Sequence, residues 1–165
     1  MSNSGKIILT SPVQTGRFGR LLGALCEPGD VIGLGGDLGA GKTALTQAIA
    51  AGAGVDPAEY VNSPSFALLH EYHGRIPFYH MDFYRLHGAD DVVALGLDEY
   101  LYRSGIAVVE WYERAESVFP DSTLFVDLDI VDAGRRFARL RSGALSWKQR
   151  IEQLTDRLAG TPDKP

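Results

Sequence analysis

Val31-Ile-Gly-Leu-Gly-Gly-Asp-Leu-Gly-Ala-Gly-Lys-Thr43 is the stretch on which the reading of this chain turns. Its first four residues form a continuous apolar run, the pattern of a strand covered on both faces of a parallel sheet. From Gly36 to Thr43 it fits the phosphate-loop pattern G-x-x-x-x-G-K-[ST] without deviation. Glycines let several backbone N–H groups turn inward as a concave anion nest. An Ala- and Leu-rich helix is predicted from Lys42 to about Ala53, and it aims its positive end at the same place. Lys42 adds a point charge for the outer phosphates, and the Thr43 hydroxyl can ligate Mg²⁺. Asp37, Leu38, Gly39, Ala40, Gly41, Lys42, Thr43 and Ala44 are therefore the candidate nucleotide cradle.

Outward from this motif the chain alternates strand and helix patterns. Residues 6–9 read as a first strand, and Ser11, Pro12 and Thr15 open a helix carrying Phe18, Leu21, Leu22 and Leu25 at helical spacing. Residues 65–72 and 76–84 flank His73-Gly-Arg75 and predict a hairpin. Short helices are expected over 89–95 and 98–102, an apolar strand over 106–109, and a helix over 113–119 stopped by Pro120. Strands over 123–131 and 136–141 follow, then a helix over 146–158 with Ser146 as its N-cap. The expected fold is a single α/β domain of phosphate-loop type over residues 1–160, with a mostly parallel central sheet, antiparallel hairpins, and a frayed tail at 161–165.

A phosphate-loop enzyme needs a carboxylate for the metal at the end of a neighbouring apolar strand. Glu110 closes the run at 106–109, and Asp82 follows Phe78-Tyr-His-Met81 as second candidate. Either acid could instead be a solvated strand end or a helix cap. Trp111 reads as core or as an aromatic that reports the occupied site to a partner.

Composition bounds the rest. The 165 residues carry 16 Lys and Arg against 21 Asp and Glu, a formal charge of −5, which excludes a protein that coats nucleic acid by general positive charge. Six bases and no acid lie between 135 and 150, so the remainder is strongly acidic and suits a protein partner better than bulk RNA. With 45% hydrophobic and 22% charged residues the chain folds. Cys26 is the one cysteine, so an intramolecular disulfide and a Cys-based zinc site are excluded, and it is read as core on the apolar side of a helix. No run approaches the ~20 apolar residues of a membrane span, and a cytoplasmic location is expected. His70, His73, His80 and His87 lack the spacing of a zinc site and read as structural or surface residues, with His80 expected to help place Asp82.

Four blocks in order go beyond a generic phosphate loop: Gly36 to Thr43, Asn62-Ser-Pro-Ser-Phe66 with Glu71-Tyr72, His80-Met-Asp-Phe-Tyr-Arg85, and Val109-Glu-Trp111 with Glu113. Together they resemble the TsaE family, also called YjeE. The resemblance implies an ATPase using ATP/ADP and Mg²⁺ that drives or resets a complex with TsaB- and TsaD-like proteins, which makes threonylcarbamoyladenosine in tRNA. It implies that tRNA is reached indirectly or weakly, and that no membrane is involved. By position it gives Thr43 and Glu110 the metal, Lys42 the phosphate, and Asp82 the attacking water. It makes Ser63, Pro64, Ser65 and Phe66 a first switch, and Glu110 to Glu113, with Trp111 between, a second. Arg135 and Pro12 would flank the base. No arginine finger or catalytic Gln stands out from the spacing, Arg85 being a candidate, so low intrinsic turnover and stimulation by partners are expected. Ser65 stands where the family has Thr and keeps the hydroxyl. Ala44 loses one. Tyr112 stands where the family has Pro, giving up a fixed φ and leaving the second switch less rigid. A small-molecule kinase and a nucleotide-gated, non-catalytic binding module are the alternatives.

Overall fold

The computed structural model describes residues 3–160. In chain order the elements are β1 (Asn3–Leu9), α1 (Pro12–Leu25), β2 (Val31–Gly35), α2 (Lys42–Gly52), β3 (Leu69–Tyr72), β4 (Phe78–Asp82), α3 (Ala89–Ala94), β5 (Ile106–Glu110), β6 (Leu124–Ile130), β7 (Arg136–Ser142) and α4 (Leu145–Ala159). They build one sheet in the order β1-β7-β6-β2-β5-β4-β3. Its centre, β6-β2-β5-β4, is parallel. The edges are antiparallel: β6 and β7 form one hairpin with β1 added outside it, and β3 and β4 form the other. This is the single-domain α/β fold that the alternation predicts.

The apolar runs of β2 and β5 are buried along their whole length because side chains point alternately to two covered faces. Ile32, Leu34, Ile106 and Val108 pack with Phe18, Leu22, Leu45, Ile49, Trp147 and Leu154 of α1, α2 and α4. Val31, Ala107 and Val109 turn the other way, toward Phe83, Val92, Leu101, Tyr112 and Phe119. The strand order reverses at β2, whose neighbours are β5 on one side and β6 on the other. Open α/β sheets bind ligands at such a reversal, beyond the carboxyl ends of the strands.

Several local expectations are corrected. The first hairpin strand starts at Leu69, because Leu68 takes a left-handed φ of 67° and its N–H closes a turn on the Pro64 carbonyl at 2.6 Å. The helix expected over 113–119 is two single 3-10 turns, Tyr112–Arg114 and Glu116–Val118, broken where Ala115 leaves the helical region at φ −151°, ψ 44°. Leu97–Tyr102 is likewise 3-10. Ser146 lies inside α4; the helix starts a residue earlier, after Ala144, with no side-chain cap. Cys26 sits past the end of α1 as its C-cap and is buried; its thiol donates to the Leu22 carbonyl at 3.4 Å, and burial pushes its pKa up. The tail expected to fray at 161–165 lies outside the described residues. No described helix is long and apolar enough to cross a membrane.

Helices α1 and α2 cross closely enough that only glycine fits at their contact. A Cβ on Gly23 would stand 2.0 Å from the Ile49 carbonyl oxygen and 2.8 Å from the Ala53 nitrogen, both backbone atoms with no freedom to move aside. Gly23→Ala is predicted to destabilise the fold by about 2–3 kcal/mol despite alanine's better helix propensity of roughly 1 kcal/mol. Thermal unfolding should show Tm lower by about 5–10 °C. Gly88→Ala, where a Cβ meets nothing within 4 Å, should move Tm little.

Candidate functional site

Parallel register brings the carboxyl ends of three strands level. Glu110 of β5 stands opposite Leu34 of β2 and opposite Asp82 of β4. Beside them β2 runs into the glycine loop, where Gly36, Gly39 and Gly41 hold φ of +131°, +82° and +105°. Side chains avoid that region, so the sequence had to be glycine there. Helix α2 begins at Lys42 with Gly41 as its cap and no side-chain cap bond. Its first N–H groups therefore face the loop, and an N-terminus of this kind attracts anions.

Lys42 is buried, and its ammonium donates to the carbonyls of Gly36 at 2.5 Å and Asp37 at 2.9 Å. It also lies 4.0 Å from the centroid of the Trp111 ring. Burial draws its pKa below the usual lysine value, opposed by the surrounding Glu110, Glu113, Asp82 and Asp37. The Thr43 hydroxyl donates to Glu110 Oε1 at 2.9 Å. The other carboxylate oxygen, Oε2, lies 2.5 Å from Nε2 of His80, and both side chains are buried. His80 Nδ1 has no hydrogen-bond partner among the described residues. Nε2 is the ring nitrogen that can donate to the Glu110 carboxylate. The sequence expected His80 to help place Asp82; this is corrected, since His80 holds Glu110 instead. The two lie diagonally across neighbouring strands on one face, within reach of a long side chain.

Asp82 is held separately. Its Oδ2 accepts from the Ser63 hydroxyl at 3.0 Å and its Oδ1 from the backbone N–H of Tyr84 at 2.9 Å. Ser65 Oγ is 3.4 Å from Ser63 Oγ. These groups open on a cleft of about 410 Å³ lined by Leu38, Gly39, Gly41, Lys42, Thr43, Ala44, Ser63, Ser65, Asp82, Tyr84, Arg85, Glu110 and Trp111. Trp111 leans on Tyr84, ring centroids 4.9 Å apart, with a left-handed φ of 59°.

The residues singled out from the sequence thus fall into three places. Lys42, Thr43, Ser63, Ser65, Asp82, Glu110 and Trp111 converge on the cleft with the tip of the loop. Pro64 is buried behind it, while Phe66 is exposed at its edge with the Arg85 guanidinium 4.2 Å above the ring. Asp37 and Glu113 line a neighbouring hollow of about 360 Å³ that shares only Trp111 with the cleft, and burial raises the Glu113 pKa. Ala40 is buried under the loop. Pro12 and Arg135 do not line the cleft, and Arg135 pairs with Asp132 at 2.6 Å. Tyr112 is fixed where proline was expected: it is buried against Phe119 and Phe125, and its hydroxyl donates to Asp127 at 2.9 Å. The residue that stands in place of the family's proline is thus held by packing and a hydrogen bond.

Three residues escape sequence reasoning: Tyr84, which lines the cleft and caps Asp82 with its N–H, His80 as the partner of Glu110, and Arg136, whose Nε donates to the Ala40 carbonyl at 2.9 Å. His80 is detectable only once β4 and β5 are known to be neighbours. Arg136 looks like any other base in the run from 135 to 150. His80→Ala is predicted to leave one oxygen of a buried carboxylate without a donor, costing about 2–3 kcal/mol in denaturant unfolding. His80→Gln, which keeps a donor, should recover part of the loss.

With that geometry in place, likeness to known proteins falls into line. A family model described as threonylcarbamoyl adenosine biosynthesis protein TsaE matches residues 9–138. A tRNA threonylcarbamoyladenosine biosynthesis protein TsaE of Treponema pallidum is 40% identical over 131 residues, covering 79% of this chain and 96% of the relative. The protein of the same name from Bacillus subtilis is 44% identical over 115 residues, 69% of this chain and 70% of the relative. That of Nostoc is 41% identical over 140 residues, 82% of this chain and 84% of the relative. Among solved structures, the crystal structure of Bacillus subtilis YdiB superposes with a TM-score of 0.80 at 32% identity, covering 95% of this chain and 97% of that one. The chain belongs to the TsaE family.

Proposed function

We propose that this chain is a Mg²⁺-dependent ATPase, one phosphate-loop domain over residues 1–160, that serves the making of threonylcarbamoyladenosine in tRNA from the cytoplasm. Its relatives carry that pathway in their names. The observation that carries the catalytic part is the pair Thr43 and Glu110, oxygen to oxygen 2.9 Å, at the mouth of an N–H nest whose lysine is already in place. Mg²⁺ keeps several waters and takes one or two protein oxygens together with substrate phosphates, so this two-group donor set fits it. No group of three or more His, Cys, Asp and Glu among the described residues could hold a metal ion. Thr43 and Glu110 would therefore hold Mg²⁺ together with the nucleotide. Bound there, the ion would neutralise charge on the β- and γ-phosphates.

The remaining roles follow from chemistry at named atoms. Lys42 leaves the carbonyls of Gly36 and Asp37 for phosphate oxygens, a stronger, charge-assisted bond. Asp82 orients the attacking water with a carboxylate oxygen, and Ser63, bonded to the same carboxylate, makes the first switch segment sensitive to what fills the cleft. Trp111 and Glu113 carry the second switch. Arg85 is the cationic side chain at the cleft edge able to reach developing charge. Pro12 and Arg135 flank the base. Arg85 lies on the Phe66 ring, so basal turnover is slow and rises in the assembly with TsaB- and TsaD-like proteins. Contact with tRNA runs through those partners.

Phosphate release from ATP, measured with Mg²⁺ and with the TsaB- and TsaD-like proteins added, tests this reading. Lys42→Ala should weaken nucleotide binding tenfold or more. Thr43→Ala and Glu110→Ala should lower turnover about 10–100-fold, most severely at limiting Mg²⁺. Unchanged hydrolysis in all three would remove the loop from the mechanism. Phosphate transfer to an added small-molecule acceptor would make the protein a kinase. Nucleotide binding without release, partners present, would make it a gated binding module. Pull-down of the two partners should differ between ATP and ADP.

A further inference from the structure

We infer that Arg136 is the positioning residue that sets the phosphate loop, turning its carbonyls away from the anion and fastening it to the β6–β7 turn. This rests on the nucleotide-binding reading of the loop. An anion cradle made of backbone N–H groups carries a built-in liability, since every peptide that offers a positive N–H also carries a negative carbonyl. If a loop peptide flips, it points its oxygen at the phosphate. Here two cations hold four loop carbonyls. Lys42 takes those of Gly36 and Asp37. Arg136 takes that of Ala40 through Nε at 2.9 Å and that of Gly39 through Nη2 at 3.4 Å. Lys42 must let go when phosphate arrives. Arg136 approaches from outside the cleft and need not.

The second half of the same guanidinium reaches elsewhere. Its Nη1 donates to the carbonyls of Asp132 at 2.7 Å and Arg135 at 2.9 Å, both in the turn between β6 and β7. One planar fork thus ties the loop to a turn nearly a hundred residues further along the chain. That turn also carries Arg135, so the side chain that holds the loop holds the segment proposed to flank the base as well. Its basic neighbours behave differently: Arg135, Arg139 and Arg141 each close an ion pair with a carboxylate, to Asp132, Asp129 and Glu116. Four carbonyls in two segments require a rigid fork of donors, which arginine has and lysine lacks.

The test is calorimetric titration of ADP and, separately, inorganic pyrophosphate into the wild type, Arg136→Ala, Arg136→Lys and Arg139→Ala, with circular dichroism to verify folding. Both Arg136 variants should bind both ligands about tenfold more weakly, the lysine variant losing nearly as much as the alanine, because the fork and not the charge is needed. Arg139→Ala, which breaks an exposed ion pair on the same strand, should bind as the wild type does. Wild-type affinity in Arg136→Lys overturns the inference, as does a loss confined to ADP or an equal loss in Arg139→Ala. Should Arg136→Ala fail to fold, Arg136→Lys against Arg139→Ala decides. A wild type that binds neither ligand overturns the nucleotide reading itself, a result distinct from equal binding by all four proteins.

Discussion

Glu110 lies between Leu34 and Asp82 because three parallel strands are in register, and the chemistry of the cleft depends on that pairing. A slip of one residue in β5 would turn Glu110 to the opposite face and put Trp111 in its place. Burial on both faces fixes the register, since Ile106, Val108, Ala107 and Val109 alternate into two different cores. The helices that cover those cores are fixed in turn by close contacts such as Gly23 against Ile49. The precision of the site is therefore inherited from packing well away from it.

The same edge concentrates polar groups that would be costly elsewhere. Lys42, His80, Asp82 and Glu110 are all buried. An isolated charge in such a place would cost several kcal/mol. Here each is met by a specific partner: loop carbonyls for Lys42, Thr43 and His80 for Glu110, Ser63 and the Tyr84 N–H for Asp82. Removing one partner strands another, so the cluster behaves as a unit in stability as well as in chemistry. The apolar surface at the cleft edge, Leu38 and Phe66 above all, lies outside this network and is strongly exposed.

Much of this was legible from residues alone, for reasons that differ by feature. The loop was readable because glycine at left-handed positions, lysine and threonine at fixed spacing have few other uses. The central strands were readable because burial on both faces erases the polar alternation. Glu110 and Asp82 could be nominated because each ends such a strand. What could not be read depended on lateral neighbours: His80 on Glu110 needs the order of β4 and β5, and Arg136 on Ala40 needs β7 near the loop. The broken helix after Trp111 failed for another reason. Residues 113–119 have acceptable helix propensity, and tertiary contacts of Tyr112 and Phe119 override it.

Trp111 can be regarded mechanically. It is a bulky residue held in a left-handed turn, a conformation that costs a non-glycine residue on the order of 1 kcal/mol. On one side its backbone N–H is pinned to Leu34 at 2.9 Å; on the other, Tyr112 is clamped by two phenylalanines and an aspartate. Any relaxation must therefore occur at one residue, between two anchors that stay put. The indole at that residue is in contact with both the Lys42 ammonium and the Tyr84 ring, so the backbone turn sets where a cation and an aromatic of the cleft can lie. A hinge of one residue between two fixed neighbours is the opposite of a long flexible loop, in which the same change would be shared among many residues.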